Sequence, residues 1–138
     1  MKKLQKEYRS IIVRRDSVAA GDDIFAPHEK RVKIETKETL ESAIEKVILA
    51  KYLPKIQDGK ATWIVEGKEP IAVIAQQWLK PCYLVEANIE LRKVVDFETD
   101  HQLKFIYWCQ VEPQEVVDCI KQGKPLPDKF GRDKIFTR

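Results

Sequence analysis

Hydrophobic residues recur with a helical period in one segment of the chain. The members of this apolar stripe follow the spacing i, i+3, i+4, i+7, i+8 and are Leu40, Ala43, Ile44, Val47 and Ile48. This spacing places the stripe on one face of a helix. Thr36 or Thr39 can cap the start of that helix, and Pro54 predicts that it ends near Leu53 because proline cannot continue it.

Strand-like patterns lie on both sides of this helix. The segments with β-branched or alternating residues, each predicted to be a strand, are 8–15, 31–36, 61–66, 71–78 and, more briefly, 82–87. The first two are joined by a loop over 16–29, and the third and fourth form a hairpin that turns at 67–70. Ile71–Ala75 is apolar throughout, which favours a strand covered on both faces of its sheet.

The last third of the chain predicts two longer strands that pair around 99–102. In the second of these strands, alternate residues face the core, namely Leu103, Phe105, Tyr107, Cys109 and Val111. A second helix is predicted from Pro113 to Gln122, with Gly123 as its C-terminal cap. Its apolar side consists of Val116, Val117 and Ile120. An irregular tail over 124–138 is expected to follow.

These elements predict an α+β fold in a single domain over 1–138. Because most connections are too short for crossovers, the sheet should be mainly antiparallel or mixed, with five to seven strands. One main helix should cover a face of the sheet, and a shorter helix should follow near the C-terminus. The length of 138 residues is enough for a core that needs no disulfide staples.

Charge is distributed unevenly along the chain. The net charge is +3, but residues 1–15 carry +5 and residues 121–138 carry +4, which leaves −6 for 16–120. The ends are therefore basic and the body is acidic, so different partners can suit different surfaces. We expect a cytoplasmic protein that does not enter a membrane. The chain has three cysteines without a CxxC pair, no secretory signal pattern and no long apolar run.

The loop over 16–29 concentrates acidic residues and one of the two histidines. Its titratable members are Asp16, Asp22, Asp23, His28 and Glu29. Their spacing matches no calcium loop or zinc site, and the chain has no phosphate-binding glycine motif, so we predict neither a metal nor a cofactor. Aspartates also favour turns for local reasons, which leaves open whether the loop is functional or a connector.

Three functional hypotheses remain from the sequence. The leading one is a non-enzymatic binding protein that docks a basic protein partner, as a toxin-neutralising or inhibitor-like protein would. Asp22, Asp23 and Glu29 would supply its charge, and Trp108, predicted on the face opposite the core stripe, an aromatic anchor.

The first alternative is a nucleic-acid-binding module that uses the basic N- and C-terminal segments. The second is an enzyme or small-ligand-binding protein with a dispersed site, for which Cys82 with His28 or His101 is the candidate couple. The sequence leaves the oligomeric state and the identity of any partner open.

Overall fold

The computed structural model describes residues 7–18 and 28–130. The elements of this part of the chain are, in order, β1 Tyr8–Arg15, β2 Glu29–Glu35, α1 Leu40–Leu49, β3 Thr62–Glu66, β4 Pro70–Ala75, β5 Cys82–Tyr83, β6 Leu103–Tyr107 and α2 Pro113–Gln122. Its strands form one six-stranded sheet in the order β2-β1-β6-β3-β4-β5. β1 and β6 pair in parallel and the other neighbours pair antiparallel. The predicted α+β fold with a mixed sheet is confirmed.

The two helices cover opposite faces of this sheet. Along β3, Trp63 and Val65 belong to the larger core, which also contains the buried face of α1. Ile64 lies between them in sequence and belongs to a smaller core with Val116 and Val117 of α2. Since successive side chains of a strand point to opposite faces, the strand separates two apolar layers. The same arrangement explains the apolar run predicted for β4, since residues 71–75 are buried throughout.

Helix α1 has the predicted apolar face, and its start is fixed by one of the two proposed caps. The Thr39 hydroxyl accepts a hydrogen bond from the Ser42 amide at 3.1 Å. The helix ends at Leu49 instead of near Leu53, because Lys51 adopts a left-handed conformation with a φ of 56°. α1 and α2 therefore span ten residues each.

Helix α2 agrees with its prediction at both ends. Pro113 occupies the first turn, and Gly123 caps the C-terminus with a φ of 67°. Val116 and Val117 are fully buried, and Ile120 packs against the same cluster.

The first of the two longer strands predicted around 99–102 does not form, and this prediction is wrong. The chain instead hydrogen-bonds to the start of α1, through the Leu40 amide to the Ile89 carbonyl at 2.8 Å and the Leu91 amide to the Glu38 carbonyl at 2.8 Å. Leu91 then opens a short 3-10 turn. It is still fully buried, so its apolar character reflects core packing without a strand.

The strand ends also differ from the sequence prediction. β6 stops at Tyr107 instead of continuing to Val111, because Cys109 has a φ of 57°, which breaks an extended conformation. β4 stops at Ala75, three residues early, and β5 contains Cys82 and Tyr83 alone.

Residues 124–128 contain neither helix nor strand, and a turn follows at 129–130. Within the described ranges, neither α1 nor α2 has the length and apolarity that crossing a membrane requires.

Candidate functional site

The acidic loop predicted as the partner-binding surface is described only at its ends. Asp22 and Asp23 lie outside the described residues. Glu29 is exposed at the start of β2, where its carboxylate lies 3.8 Å from the Arg14 guanidinium. Arg14 also lies 3.4 Å from Asp100. The charge of Glu29 is thus partly compensated within the protein, and its role toward a partner stays a prediction.

Trp108, the predicted aromatic anchor, is half-buried. Its indole N–H donates a hydrogen bond to the Pro127 carbonyl at 2.8 Å, and the Lys129 ammonium lies 4.7 Å from the ring centroid. The ring packs against the smaller core. The segment that follows α2 therefore contacts both the edge and the face of this indole, and its use as an interface anchor stays a prediction.

The proposed thiol–imidazole couple is not assembled. Cys82 lies on β5 at one edge of the sheet, whereas His28 lies beside β2 at the opposite edge. His101 precedes β6 and pairs with Asp100 at 3.0 Å. β6 is three strands away from β5, a separation of roughly 14 Å at the usual strand spacing. Both histidines are therefore out of reach of the Cys82 thiol.

Cys109 and the potential metal ligands are further chemistry-bearing groups of the described ranges. Burial raises the pKa of the Cys109 thiol, although Lys129 acts in the opposite direction. Among the described residues, no three His, Cys, Asp or Glu side chains gather as metal ligands.

The basic segments proposed for nucleic-acid binding lie partly outside the described residues, since these omit 1–6 and 131–138. On the sheet face opposite α1, β2 carries Glu29, Arg31, Lys33 and Glu35. Acidic and basic side chains thus share the exposed part of this face. Nucleic-acid binding stays a prediction.

A groove of about 500 Å³ opens beside the C-terminal end of α1. We call it the lysine-rimmed groove, and its lining residues are Ile48, Lys51, Leu53, Pro54, Lys55, Trp63, Ile74, Ala75, Gln76, Trp78, Leu79, Lys80 and Pro81. The volume is within the range of ligand sites in proteins. Carboxylates, thiols and imidazoles are absent from this described lining, so the groove offers apolar contact and positive charge but no acid–base pair or nucleophile of the usual kinds.

The sheet supplies a rigid floor to the groove. Trp63 and Ile74 are paired across β3 and β4 and are 2% and 8% exposed. The Trp63 ring also packs against Tyr107, with ring centroids 4.8 Å apart. Because these side chains belong to the main core, the floor is fixed before any ligand arrives.

The Gln76 side chain links the segment 51–56, which forms the wall of the groove, to the end of β4. The Gln76 amide accepts a hydrogen bond from the Ile56 N–H at 2.7 Å and donates one to the Ile56 carbonyl at 3.0 Å. The segment 51–56 has no regular secondary structure of its own. Gln76 therefore gives it the paired backbone contacts that a neighbouring strand would otherwise provide.

The rim of the groove is basic. Lys51, Lys55 and Lys80 are exposed, and none of them forms an ion pair with a described side chain. Three ammonium groups at the mouth of an apolar groove attract an anionic group and disfavour a cationic one.

Apolar side chains reach water at this groove and beside it. Leu79 in the lining is fully exposed, Ile48 is 39% exposed, and the adjoining Leu49 is 80% exposed. The other large hydrophobic residues that are exposed in the described part, Tyr8 and Phe130, are not part of this lining. A gathering of exposed leucine and isoleucine beside a concave surface is typical of an interaction site.

Sequence reasoning missed this groove. Leu49 and Leu79 were available as a signal, because both lie outside the apolar patterns assigned to the core. Ile48 was assigned to the buried stripe of α1, but it lies on the edge of that stripe and borders the groove.

The acidic half of α1 lies next to the basic rim. Glu41 and Glu45 are exposed and lie near the Tyr83 phenol. Burial raises the pKa of Tyr83 to about 12, and these two carboxylates add to the shift. α1 thus carries negative charge along its exposed side and ends at a positive groove.

Comparisons with known proteins give no relative for this chain. No family model matches it, and neither the curated proteins nor the solved structures give a significant match.

Proposed function

We propose that this protein is a non-enzymatic binding protein that docks an acidic, amphipathic segment of another protein in the lysine-rimmed groove. The observation that carries this proposal is the combination of an apolar floor with a rim of lysines that form no ion pair with a described side chain. Lys51, Lys55 and Lys80 favour an anionic occupant, and Trp63 and Ile74 favour an apolar one.

Exposed side chains outside the cavity favour a polypeptide occupant over a small molecule. A ligand confined to the cavity would leave Leu49, and much of Leu79, in water. A helix laid along the groove can place apolar side chains in the cavity and cover these leucines as well. Burying a leucine side chain contributes about 1.5–3 kcal/mol before the costs of association.

This proposal keeps the class of function predicted from the sequence but concerns a different surface and a partner of opposite charge. Docking of a basic partner through Asp22, Asp23 and Glu29 would use the far edge of the sheet, where Glu29 begins β2. The groove is favoured because its lysines form no ion pair with a described side chain, whereas Glu29 lies beside Arg14.

Two synthetic helical peptides test the proposal directly. Both carry leucines at i, i+3, i+4 and i+7, and their polar positions are glutamate in one and lysine in the other. Tryptophan fluorescence reports binding, because Trp63 and Trp78 line the groove. We expect the glutamate peptide to bind at least about tenfold more tightly, which corresponds to about 1.4 kcal/mol over three rim lysines. We also expect added salt to reduce this preference.

A pair of variants locates the binding site. Leu79→Asp should weaken binding of the glutamate peptide, because it places a carboxylate in the groove lining. Tyr8→Asp is the control, since Tyr8 is also exposed but lies on β1, away from the groove. Equal affinity for the two peptides, or binding that Leu79→Asp leaves unchanged, would contradict the proposal.

A further inference from the structure

Helix α1 and the chain that leaves the groove lie side by side. Ile48 of α1 and Lys80 both line the lysine-rimmed groove. Further from the groove, Glu45 and Glu41 of α1 both lie near the phenol of Tyr83. The helix approaches the groove along its sequence, whereas the chain from Lys80 to Tyr83 leaves it. The two are therefore antiparallel neighbours, and the surface between them is continuous with the groove.

We call this surface the α1 furrow. It is formed by Glu41, Glu45 and Ile48 of α1 and by residues 80–83. The spacing i, i+4, i+7 places the three residues of α1 on one side of the helix. At the rise of an α-helix, Glu41 lies roughly 10 Å along the axis from Ile48. The three residues from Lys80 to Tyr83 also span at most roughly 10 Å. Both walls thus place the acidic end of the furrow at the same distance from the groove.

The acidic end of the furrow carries two like charges. Glu41 and Glu45 are exposed, and neither forms an ion pair with a described side chain. They are four residues apart on a helix, a spacing at which like charges repel each other. Lys46 of the same helix is bound to Glu38 at 2.7 Å. A cationic group placed on the furrow beside Glu41 and Glu45 would relieve their repulsion.

We propose that the partner segment extends from the groove along the α1 furrow and has an acidic half and a basic half. Its acidic half lies over Lys51, Lys55 and Lys80. Its basic half lies over Glu41 and Glu45. Recognition then depends on the order of charges along the segment and not on its net charge.

This inference rests on the proposed function, because the acidic half occupies the same groove. It adds the basic half and its distance, which is roughly two turns of helix from the acidic half. A helix that is acidic along its whole length would place carboxylates against Glu41 and Glu45. A helix in which both charges alternate would place like charges together at both ends of the furrow.

Three helical peptides, each about four turns long, test the inference. All have the leucine spacing of the peptides described above. The divided peptide has glutamate at the polar positions of its N-terminal half and lysine at those of its C-terminal half. The alternating peptide has the same composition with the two charges alternating, and the third is the glutamate peptide at this length. We expect the wild-type protein to bind the divided peptide about fivefold more tightly than either of the others, because two exposed charge pairs are gained.

The order of charges also affects the helicity of the free peptides. The deciding comparison therefore changes the protein and keeps the peptides, so that differences in free helicity cancel. In the double variant Glu41→Lys/Glu45→Lys the furrow is basic at both ends. We expect this variant to bind the glutamate peptide about fivefold more tightly than the divided peptide, which reverses the wild-type order.

The matched control is Glu69→Lys/Glu98→Lys, which makes the same change in charge at exposed positions outside the furrow. We expect this control to keep the wild-type order of affinities. Circular dichroism should show that both double variants are folded.

The outcomes separate this inference from the proposed function. The inference is overturned if the wild-type protein binds the divided peptide no more tightly than the glutamate peptide. It is also overturned if Glu41→Lys/Glu45→Lys keeps the wild-type order. In either case docking in the groove stands if Lys80→Glu still weakens binding of the glutamate peptide. If none of the peptides binds, both proposals are overturned.

Discussion

Substitution of Gln76 by alanine tests whether binding in the groove requires the hydrogen bonds that Gln76 makes to its wall, the segment 51–56. Both hydrogen-bonding groups of this amide are used, since it bonds to the Ile56 N–H at 2.7 Å and to the Ile56 carbonyl at 3.0 Å. Alanine removes both bonds but leaves the fold of β4 intact. The segment 51–56, which carries two of the three rim lysines, loses its hydrogen bonds to Gln76, although Tyr52 still anchors it in the core.

The expected loss of stability follows from the number of hydrogen bonds that the substitution removes. A hydrogen bond within a protein contributes about 0.5–1.5 kcal/mol net, so two bonds contribute about 1–3 kcal/mol to the free energy of unfolding. For a domain of this size, that loss corresponds to a fall in Tm of roughly 4–12 °C. The partial exposure of Gln76 places the expected value in the lower half of these ranges.

The neighbouring glutamine provides a matched control. Gln77 accepts one hydrogen bond, from the Ala61 N–H at 3.2 Å, and its side chain does not line the groove. Urea unfolding and titration with the glutamate peptide should be measured for Gln76→Ala and Gln77→Ala. We expect the first to lose more stability and to bind the peptide several-fold more weakly. If both variants unfold at the same urea concentration and bind equally well, the wall does not depend on Gln76.

Two further predictions concern the fold around the groove. Thr39→Ala should lower the free energy of unfolding by about 1 kcal/mol, because the Ser42 amide loses its cap; urea unfolding measures this, and an unchanged midpoint would disprove the capping role. Burial raises the pKa values of Tyr52 and Tyr83 to about 12 each. Native protein therefore holds these phenolic protons more tightly than unfolded protein, so their contribution to stability is complete below pH 10 and is lost as the pH rises from 10 to 12. Burial also raises the pKa of Tyr107, so absorbance at 295 nm should show three of the four tyrosines ionising late, and ionisation of all four near pH 10 would refute this.

The fold class was predictable because the helices and most strands have strong local patterns. The apolar stripe of α1 and the Pro113 and Gly123 signals of α2 depend on residues close in sequence, and both helices formed where these patterns indicated. The exact ends of the elements were less predictable. Lys51 and Cys109 end their elements with left-handed conformations, for which neither residue type gives a signal.

The missing strand shows the limit of pattern reasoning. Leu91 and Val95 are buried, but they reach the core from a 3-10 turn and the segment after it. The backbone of this segment bonds to the start of α1, about 50 residues earlier in the chain, and, at Val94, to Lys68. A periodic pattern indicates which residues are buried. It does not identify the part of the chain that provides hydrogen-bond partners for their backbone groups.

The candidate site could not be derived from the sequence because its parts are distant in the chain. Ile48, Trp63 and Leu79 become neighbours only when α1 packs on the sheet. The charge asymmetry between the ends and the body of the chain also gave no indication of a local basic rim. Lys51, Lys55 and Lys80 belong to a region whose total charge is negative.

One comparison tests the central claim most directly, namely the affinity of the glutamate peptide for Lys80→Glu and for Lys68→Glu. The two variants have the same net charge, but Lys80 lines the groove and Lys68 lies at the other end of the β3–β4 hairpin. Isothermal titration calorimetry should give a Kd at least about fivefold higher for Lys80→Glu than for Lys68→Glu. Equal dissociation constants would show that the peptide responds to overall charge, and the groove would then not be its binding site.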